Sequence, residues 1–228
     1  MTDLFSRHIQ VCEGFGRIST EDAIQSFSLA FEHFGLPRVI RSDNGAPFAS
    51  RGLFGISRLS AFFISLGIRV ERIQPGKPQQ NGSHERMHRT LKAETIRPAA
   101  SNLLQQQERF DHWVKLFNTR RPHEALDNQR PADVYVLSET PYKPAKLEYA
   151  LHDDVRTVNK DGSIQLYRRR TGRVFLSTAL SGYPVGLREL ETGDWLISFG
   201  QLDLGIVPLK SNQLQGFDLK ESKEKQNN

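Results

Sequence analysis

The chain has 228 residues, with 31 Lys and Arg against 26 Asp and Glu, which gives a formal net charge of +5. This length accommodates one large domain or two small ones, and a hydrophobic fraction of 37% with 9% aromatic residues excludes wholesale disorder. No run approaches ~18 apolar residues, so we expect no membrane span. The N-terminus has no charged n-region, long apolar run or small-residue cleavage site, so we expect no signal peptide. The single cysteine, Cys12, excludes an intrachain disulfide and fits a reducing cytoplasm.

Alternating strand and helix patterns in the first part of the chain predict an α/β fold. A helix is predicted after the capping box of Ser19 and Asp22, and Gly35 ends it. A second amphipathic helix runs from Leu59 to Leu66, and the helix that contains Glu85 follows. Strands are predicted at residues 8–13, 38–42 and 68–73.

The pattern changes after residues 138–146, which contain two prolines and no periodicity and are predicted to be a linker. Short alternating runs follow at 147–158, 163–167, 173–176, 184–189, 195–199 and 204–209. Turn signals separate them at Asp161-Gly162, Thr171-Gly172 and Gly193-Asp194. The sequence therefore predicts a small all-β barrel over residues 147–217 and a disordered polar tail over 218–228.

Two carboxylates lie at positions that suit a catalytic or metal-binding site. Asp43 directly follows the strand predicted at 38–42, in RSDNGAPF, and Glu85 begins a predicted helix in PQQNGSHERMHRTLK. Each also has a structural interpretation, because Asp43 suits an Asx turn before Gly45 and a glutamate is favourable in the first turn of a helix. Spacing alone leaves both interpretations open.

Basic residues follow Glu85 on the same predicted helical face, with His88, Arg89 and Lys92 at i+3, i+4 and i+7. A carboxylate beside a basic strip suits metal-dependent phosphoryl transfer, since carboxylate oxygens hold Mg²⁺ or Mn²⁺ and basic side chains hold a nucleic-acid backbone. Ordinary helix ion pairing accounts for Arg89 and Lys92 equally well.

The distribution of charged residues predicts an anionic partner, and the spacing of apolar residues predicts which side chains form the core. The first 144 residues hold 19 Lys and Arg, 15 of them Arg, against 15 Asp and Glu, which favours an anionic partner, although a solvated basic surface would look the same. Met87 and Leu91 are predicted to anchor their helix to the core, and Phe110, Trp113, Leu116 and Phe117 form a predicted core stripe on the next helix.

Three segments together resemble the core of DDE integrases and transposases. They are LPRVIRSDNGAPFAS, GIRVERIQPGKPQQNGSHERMHRTLK and FNTRRPHEALDNQRPADVY, in this order. The likeness is greatest to insertion-sequence transposases with a retroviral-integrase-type core, and it covers roughly residues 1–135. The predicted C-terminal barrel resembles a common appendage of the family.

This resemblance implies a ribonuclease-H-like core over residues 1–137 and a catalytic triad of two aspartates and a glutamate that holds Mg²⁺ or Mn²⁺. Asp43 matches the second aspartate and Glu85 the final glutamate, so both are candidate catalytic residues and metal ligands. The implied activity is cleavage of transposon ends followed by strand transfer into target DNA, by a protein that forms homo-oligomers.

The resemblance also suggests which residues contact DNA. Arg89 and Lys92 match basic DNA-facing positions after the glutamate. Asn118, Arg121, Pro122 and His123 match a motif that follows the triad, and its expected role is structural and DNA-proximal rather than chemical. The expected DNA contacts are Arg89, Lys92, Lys77, His88, Arg121 and Arg169. For Arg169, within Arg168–Arg170, a solvated hairpin tip is an equal alternative.

The first aspartate of the family is not matched, because no Trp-x-x-Asp-Phe-Lys-like segment occurs in the sequence. Asp3 matches a later position, at the end of the second strand of the fold. We therefore expect an N-terminally truncated, catalytically incomplete chain in which residues 8–13 lack a neighbouring strand and the strand at 38–42 has an exposed edge. Replacement of the missing residue by Asp3 is an alternative.

Two other functions remain open on the sequence. A non-catalytic DNA-binding protein needs only the basic helix and the barrel, and an inhibitory partner of a full-length transposase needs only the open sheet edge. A zinc site is not expected, because His84, His88, His112 and His123 lack the spacing of cysteine-containing zinc sites.

Overall fold

A computed structural model of the chain describes residues 1–43, 45, 47–48, 50, 55–74, 82–143, 147–166, 172–211 and 213–217. The helices are α1 (Thr20–Phe34), α2 (Arg58–Ser65), α3 (Gly82–Thr95), α4 (Leu103–Arg120) and α5 (Pro131–Val134). The strands are β1 (Val39–Ser42), β2 (Arg69–Arg72), β3 (Asp154–Thr157), β4 (Ser163–Leu166), β5 (Gly172–Phe175), β6 (Pro184–Glu189), β7 (Trp195–Phe199), β8 (Leu202–Val207) and β9 (Gln215–Gly216). In the described part of the chain, no helix combines the length and the apolarity that crossing a bilayer requires.

The chain divides into two compact units, and each unit combines two separate stretches of sequence. Unit one consists of Met1–Pro37 and Ile73–Tyr142, and unit two of Arg38–Arg72 and Lys143–Asn228. Unit one therefore contains α1, α3, α4 and α5, whereas β1, α2, β2 and all later strands belong to unit two.

The core of unit one joins α3 and α4. Met87 and Leu91 of α3 are buried against Phe110, Trp113 and Phe117 of α4, as predicted. Leu116 was expected in the same stripe but is 43% exposed. It precedes Phe117 by one residue, which places it about 100° away around the helix axis.

Residues 8–13 do not form the predicted strand. An isolated bridge joins Ile9 to Thr2, and the N–H groups of Gln10 and Val11 donate to the Met1 carbonyl at 2.9 and 3.2 Å. Two side-chain amides of α4 also bind this backbone. Asn118 accepts from the Ile9 N–H and donates to the Ile9 carbonyl, both at 2.9 Å, and Gln107 likewise binds the N–H of Gly14 and the carbonyl of Cys12. Because buried backbone groups need partners, these amides help to hold the segment in place.

Helix α1 begins and ends as its sequence predicts. The Ser19 hydroxyl accepts a hydrogen bond from the Asp22 N–H at 3.0 Å, and the Asp22 carboxylate accepts from the Ser19 N–H at 3.1 Å, which completes the capping box. Gly35 follows the helix with a φ of +76°, a backbone conformation that favours glycine.

Unit two contains a parallel strand pair followed by antiparallel strands. β1 pairs with β2 in parallel, Val39 opposite Arg69, and an ion pair of 3.0 Å joins Arg41 to Glu71 across this register. The later strands form an antiparallel sheet in the order β3-β6-β7-β8-β9 and a separate β4-β5 ladder. These pairings form separate ladders among the described residues.

One apolar core lies beneath these later strands. Its fully buried members include Ile164, Leu187, Ile197 and Phe199, and Ile56 and Ala61 from the earlier stretch of unit two join the same cluster. Residues around α2 are therefore part of the core that the C-terminal strands build.

The strand predicted at 147–158 occupies only Asp154–Thr157. The preceding residues cross β6, where the Tyr149 hydroxyl donates to the Pro184 carbonyl at 2.7 Å and accepts from the Gly200 N–H at 3.1 Å. The Asp161-Gly162 turn likewise does not connect a paired hairpin, because β3 pairs with β6 rather than with β4. Apart from small shifts at their ends, the other five predicted strands are confirmed.

Candidate functional site

Asp43 lies directly after β1, as the sequence predicts, and its side chain is exposed. Its Oδ1 atom accepts a hydrogen bond from the Gly45 N–H at 3.0 Å. This contact is the Asx turn that the sequence predicts as the structural role of Asp43. The Asx turn orients the carboxylate through its Oδ1 atom.

The turn that follows Asp43 is attached to the start of α2. The carbonyl of Phe48 accepts hydrogen bonds from the hydroxyls of Ser57 and Ser60, at 3.1 and 2.7 Å. Ser57 is also the N-cap of α2, and its hydroxyl accepts from the Ser60 N–H at 3.0 Å. Two serines thus fix both the helix start and the segment after Asp43.

Glu85 lies in the first turn of α3 and is exposed. Met87 and Leu91 bury the opposite side of the helix, so Glu85, Arg89 and Lys92 point away from the core of unit one. This arrangement presents a carboxylate beside two cationic side chains on one solvent-facing surface, which suits contact with a polyanion.

Arg121, an expected DNA contact, is already bound within unit one. Its guanidinium pairs with both carboxylate oxygens of Glu94 at 2.9 Å and lies 5.9 and 5.8 Å from the ring centroids of Trp113 and Phe117. The Trp113 indole N–H donates to the same carboxylate at 2.6 Å. Although desolvation acts to raise the pKa of Glu94, the bonds from Arg121 and Trp113 lower it overall.

This arrangement connects the end of α3 to α4, because Glu94 lies in α3 and Trp113 in α4. Asn118 and Arg121, two residues of the motif that follows the triad, therefore hold unit one together. Sequence reasoning did not identify Gln107 or Glu94, whose contacts join residues far apart in the chain. Lys77 and Arg169 lie outside the described residues.

The predicted catalytic carboxylates fall in different units of the chain. Asp43 belongs to unit two and Glu85 to unit one. No group of three or more His, Cys, Asp or Glu side chains placed to hold a metal ion occurs in the described parts of the chain. The Oδ1 atom of Asp3 accepts from the N–H and the hydroxyl of Ser6 at 2.7 and 2.6 Å.

Known families match most of the first part of the chain. A family model described as Integrase core domain matches residues 1–78, and a second model of the same description matches residues 66–131. The Gag-Pol polyprotein of baboon endogenous virus (strain M7) is 44% identical over 62 residues, which are 27% of this chain and 3% of the polyprotein.

A bacterial relative and a solved structure are also similar. The insertion element IS407 uncharacterized 31.7 kDa protein of Burkholderia multivorans (strain ATCC 17616 / 249) is 28% identical over 100 residues, 43% of this chain and 34% of that protein. The simian T-cell lymphotropic virus intasome in complex with PP2A regulatory subunit B56 gamma aligns with 91% of this chain and 70% of its own, at 17% identity and a TM-score of 0.49. The chain thus spans about a third or less of the curated relatives it matches.

Proposed function

The chain belongs to the DDE integrase and transposase family, and from this we propose that Asp43 and Glu85 are two of the three carboxylates of a DNA strand-transfer site. The family transposes or integrates DNA. The observation that carries the proposal is the pair of integrase core matches over residues 1–78 and 66–131. The position of Asp43 after a parallel strand and of Glu85 at a helix start supports it.

Each candidate residue has a proposed role. Asp43 and Glu85 would hold Mg²⁺ or Mn²⁺, which activates the attacking oxygen and stabilises the leaving one when bound. Arg89, Lys92 and His88 would lie along the DNA backbone, and for Lys77 and Arg169 the proposal rests on sequence alone. Arg121 would reach DNA only by exchanging its ion pair with Glu94 for a phosphate.

We further propose that this chain alone is catalytically incomplete. Its sequence contains no match for the first aspartate of the family. Two carboxylates cannot bridge two metal ions as well as three can, so the 228-residue chain should not join DNA by itself.

We also propose that the domains of this chain follow the order seen in the family. Residues 1–137 would correspond to a partial ribonuclease-H-like core, 138–146 to a linker, 147–217 to the small β-barrel and 218–228 to a disordered tail. The tail and residues 144–146 lie outside the described residues. The partners would be transposon ends and target DNA in the cytoplasm, bound by a homo-oligomer.

A strand-transfer assay with Mn²⁺ and labelled transposon-end DNA tests this proposal. We expect no joined product from the 228-residue chain. Joined product that disappears in both Asp43→Asn and Glu85→Gln would show that the chain is complete and would refute its proposed incompleteness. Product that persists in both variants would refute the roles of Asp43 and Glu85 themselves.

Non-catalytic DNA binding is the second candidate, favoured by the exposed cationic face of α3. It requires salt-sensitive binding in EDTA, measured by fluorescence anisotropy. Neutralising Arg89 and Lys92 together should reduce the slope of log K against log salt by about 2, whereas Lys115→Ala on α4 should leave it unchanged. If the double variant and the wild type show the same slope, this face of α3 does not bind DNA. The third candidate is inhibition of a full-length transposase through the edge of β1 that has no neighbouring strand among the described residues. It predicts lower transposase activity on mixing.

A further inference from the structure

The parallel strand pair β1–β2 presents two arginines on one face. The register places Arg41 opposite Glu71, and Arg69 precedes Glu71 by two residues, so the three side chains share a face of the pair. The other face of β1 is buried through Ile40 and Ser42. Arg41 and Arg69 therefore lie on the solvent side, where their side chains are 37% and 69% exposed.

One carboxylate holds both guanidinium groups. The Nη2 atom of Arg41 lies 3.0 Å from Oε2 of Glu71, and the Nη2 atom of Arg69 lies 3.2 Å from Oε1 of the same residue. These ion pairs engage one terminal nitrogen of each guanidinium, which carries five N–H donors in total. Glu71 thus fixes two cationic forks beside each other, and the group of three side chains has a net positive charge.

The charge of this strand pair suits an anionic ligand better than it suits the stability of the fold. The residues of β1 and β2 include three arginines and one glutamate, a net charge of +2 within a chain whose formal charge is +5. Exposed ion pairs contribute little to stability, and two neighbouring guanidiniums repel each other. A phosphate group relieves that repulsion, because its oxygen atoms match the planar forks of arginine.

The position of Arg41 connects this face to the proposed strand-transfer site. Arg41 precedes Asp43 by two residues, a distance of about 7 Å along an extended strand. DNA carries a negative charge at every phosphate, so a strand whose reacting phosphate lies at Asp43 brings further phosphates past the end of β1. Cationic side chains next to Asp43 in the chain can neutralise these flanking phosphates.

We propose that Arg41 and Arg69, held by Glu71, form a second contact with the DNA backbone. The ligand is the phosphodiester oxygens of a DNA strand, so this contact positions DNA without reading its sequence. The inference rests on the proposed function, which supplies DNA as the partner, and it adds two residues that the family resemblance does not assign to DNA. The contact belongs to unit two, whereas the cationic face of α3 belongs to unit one.

Fluorescence anisotropy with the full chain and labelled duplex DNA, in EDTA and over a range of KCl concentrations, tests this contact. Replacing Arg41 and Arg69 together by alanine should reduce the slope of log K against log salt by about 2, and each single replacement by about 1. Replacing both by lysine keeps both charges and should leave the slope at its wild-type value. Circular dichroism confirms that these surface variants remain folded.

Arg188→Ala is the matched control, because it removes an exposed arginine from β6 of the same unit, and it should leave the slope unchanged. A wild-type slope in the double alanine variant would overturn this inference while DNA binding by the wild type still supports the proposed function. A slope lowered as much by Arg188→Ala as by either single replacement, or by the double lysine variant as much as by the double alanine variant, would also overturn it. Absence of salt-sensitive DNA binding by the wild type would overturn both proposals.

Discussion

Asn118 shows how one side chain can bind a backbone as a neighbouring peptide group would. Its amide presents an acceptor and a donor with the spacing of a peptide group, and it pairs with both backbone groups of Ile9. Both residues are buried, so water cannot replace either bond. Asn118 therefore stabilises the start of the chain against α4.

Asn118→Ala should lower the free energy of unfolding by about 2–3 kcal/mol, because a buried N–H and a buried carbonyl both lose their partner. Urea denaturation followed by circular dichroism measures the change. Gln105→Ala, at an exposed position of the same helix, is the control and should cost less than about 0.5 kcal/mol. Equal effects of the two variants would contradict this role for Asn118.

The sequence identifies some site residues but not the contacts around them. Asp43 and Glu85 are recognisable because their motifs are local, and the Asx turn of Asp43 involves a residue only two positions away. The role of Asn118 could not be predicted, since its partner Ile9 is 109 positions away. A polar residue on a helix gives no local sign that it will be buried.

At the scale of elements, short-range sequence signals predicted the positions of helices and strands well. They did not predict which segments pair. The capping box of α1 and strands β6 and β7 follow from short-range patterns, and their bounds agree with the structure. Residues 8–13 alternate like a strand but form an isolated bridge and a few backbone hydrogen bonds to residues 1–3. Alternation alone therefore does not predict a regular strand.

The segment before β3 depends on a glycine in β6. A Cβ atom at Gly186 would overlap the Tyr149 ring and the His152 imidazole, so only glycine lets residues 147–153 cross the strand. This crossing explains why the alternation from residue 147 onward produces a strand only at Asp154–Thr157.

Gly186→Ala should destabilise the protein by about 1–3 kcal/mol, because the methyl group forces residues 147–153 away from β6. Thermal unfolding measures the loss, and near-UV circular dichroism detects the altered environment of Tyr149. Gly16→Ala is the matched control, since a Cβ there meets no atom within 4 Å. A Gly186→Ala protein as stable as this control would show that the crossing tolerates a side chain.

For the whole molecule, the two units do not follow the order of the sequence. Ile56 and Ala61 lie in one core with strands that come about a hundred residues later. The change of pattern near residue 140 is visible in the sequence, but this long-range packing is not, because hydrophobic periodicity shows which face is buried and not what covers it.

Residues 143–228 expressed alone should therefore bind the dye ANS and unfold without a sharp transition, because their core lacks Ile56 and Ala61. Fusing residues 38–72 to them through a flexible Gly/Ser linker should restore cooperative thermal unfolding. Fusing residues 1–37 instead supplies a control segment from unit one and should not. Cooperative unfolding of residues 143–228 alone would contradict this prediction.

The split composition of unit two has a consequence during translation. Residues 38–72 leave the ribosome before the 70 residues 73–142 of unit one, and the strands that cover them come later still. At roughly 5–20 residues per second, the apolar side chains of this stretch wait on the order of 4–14 s for the first residue of their partner segment. During that interval the nascent chain offers a binding site for chaperones, and its yield in the cell should depend on them.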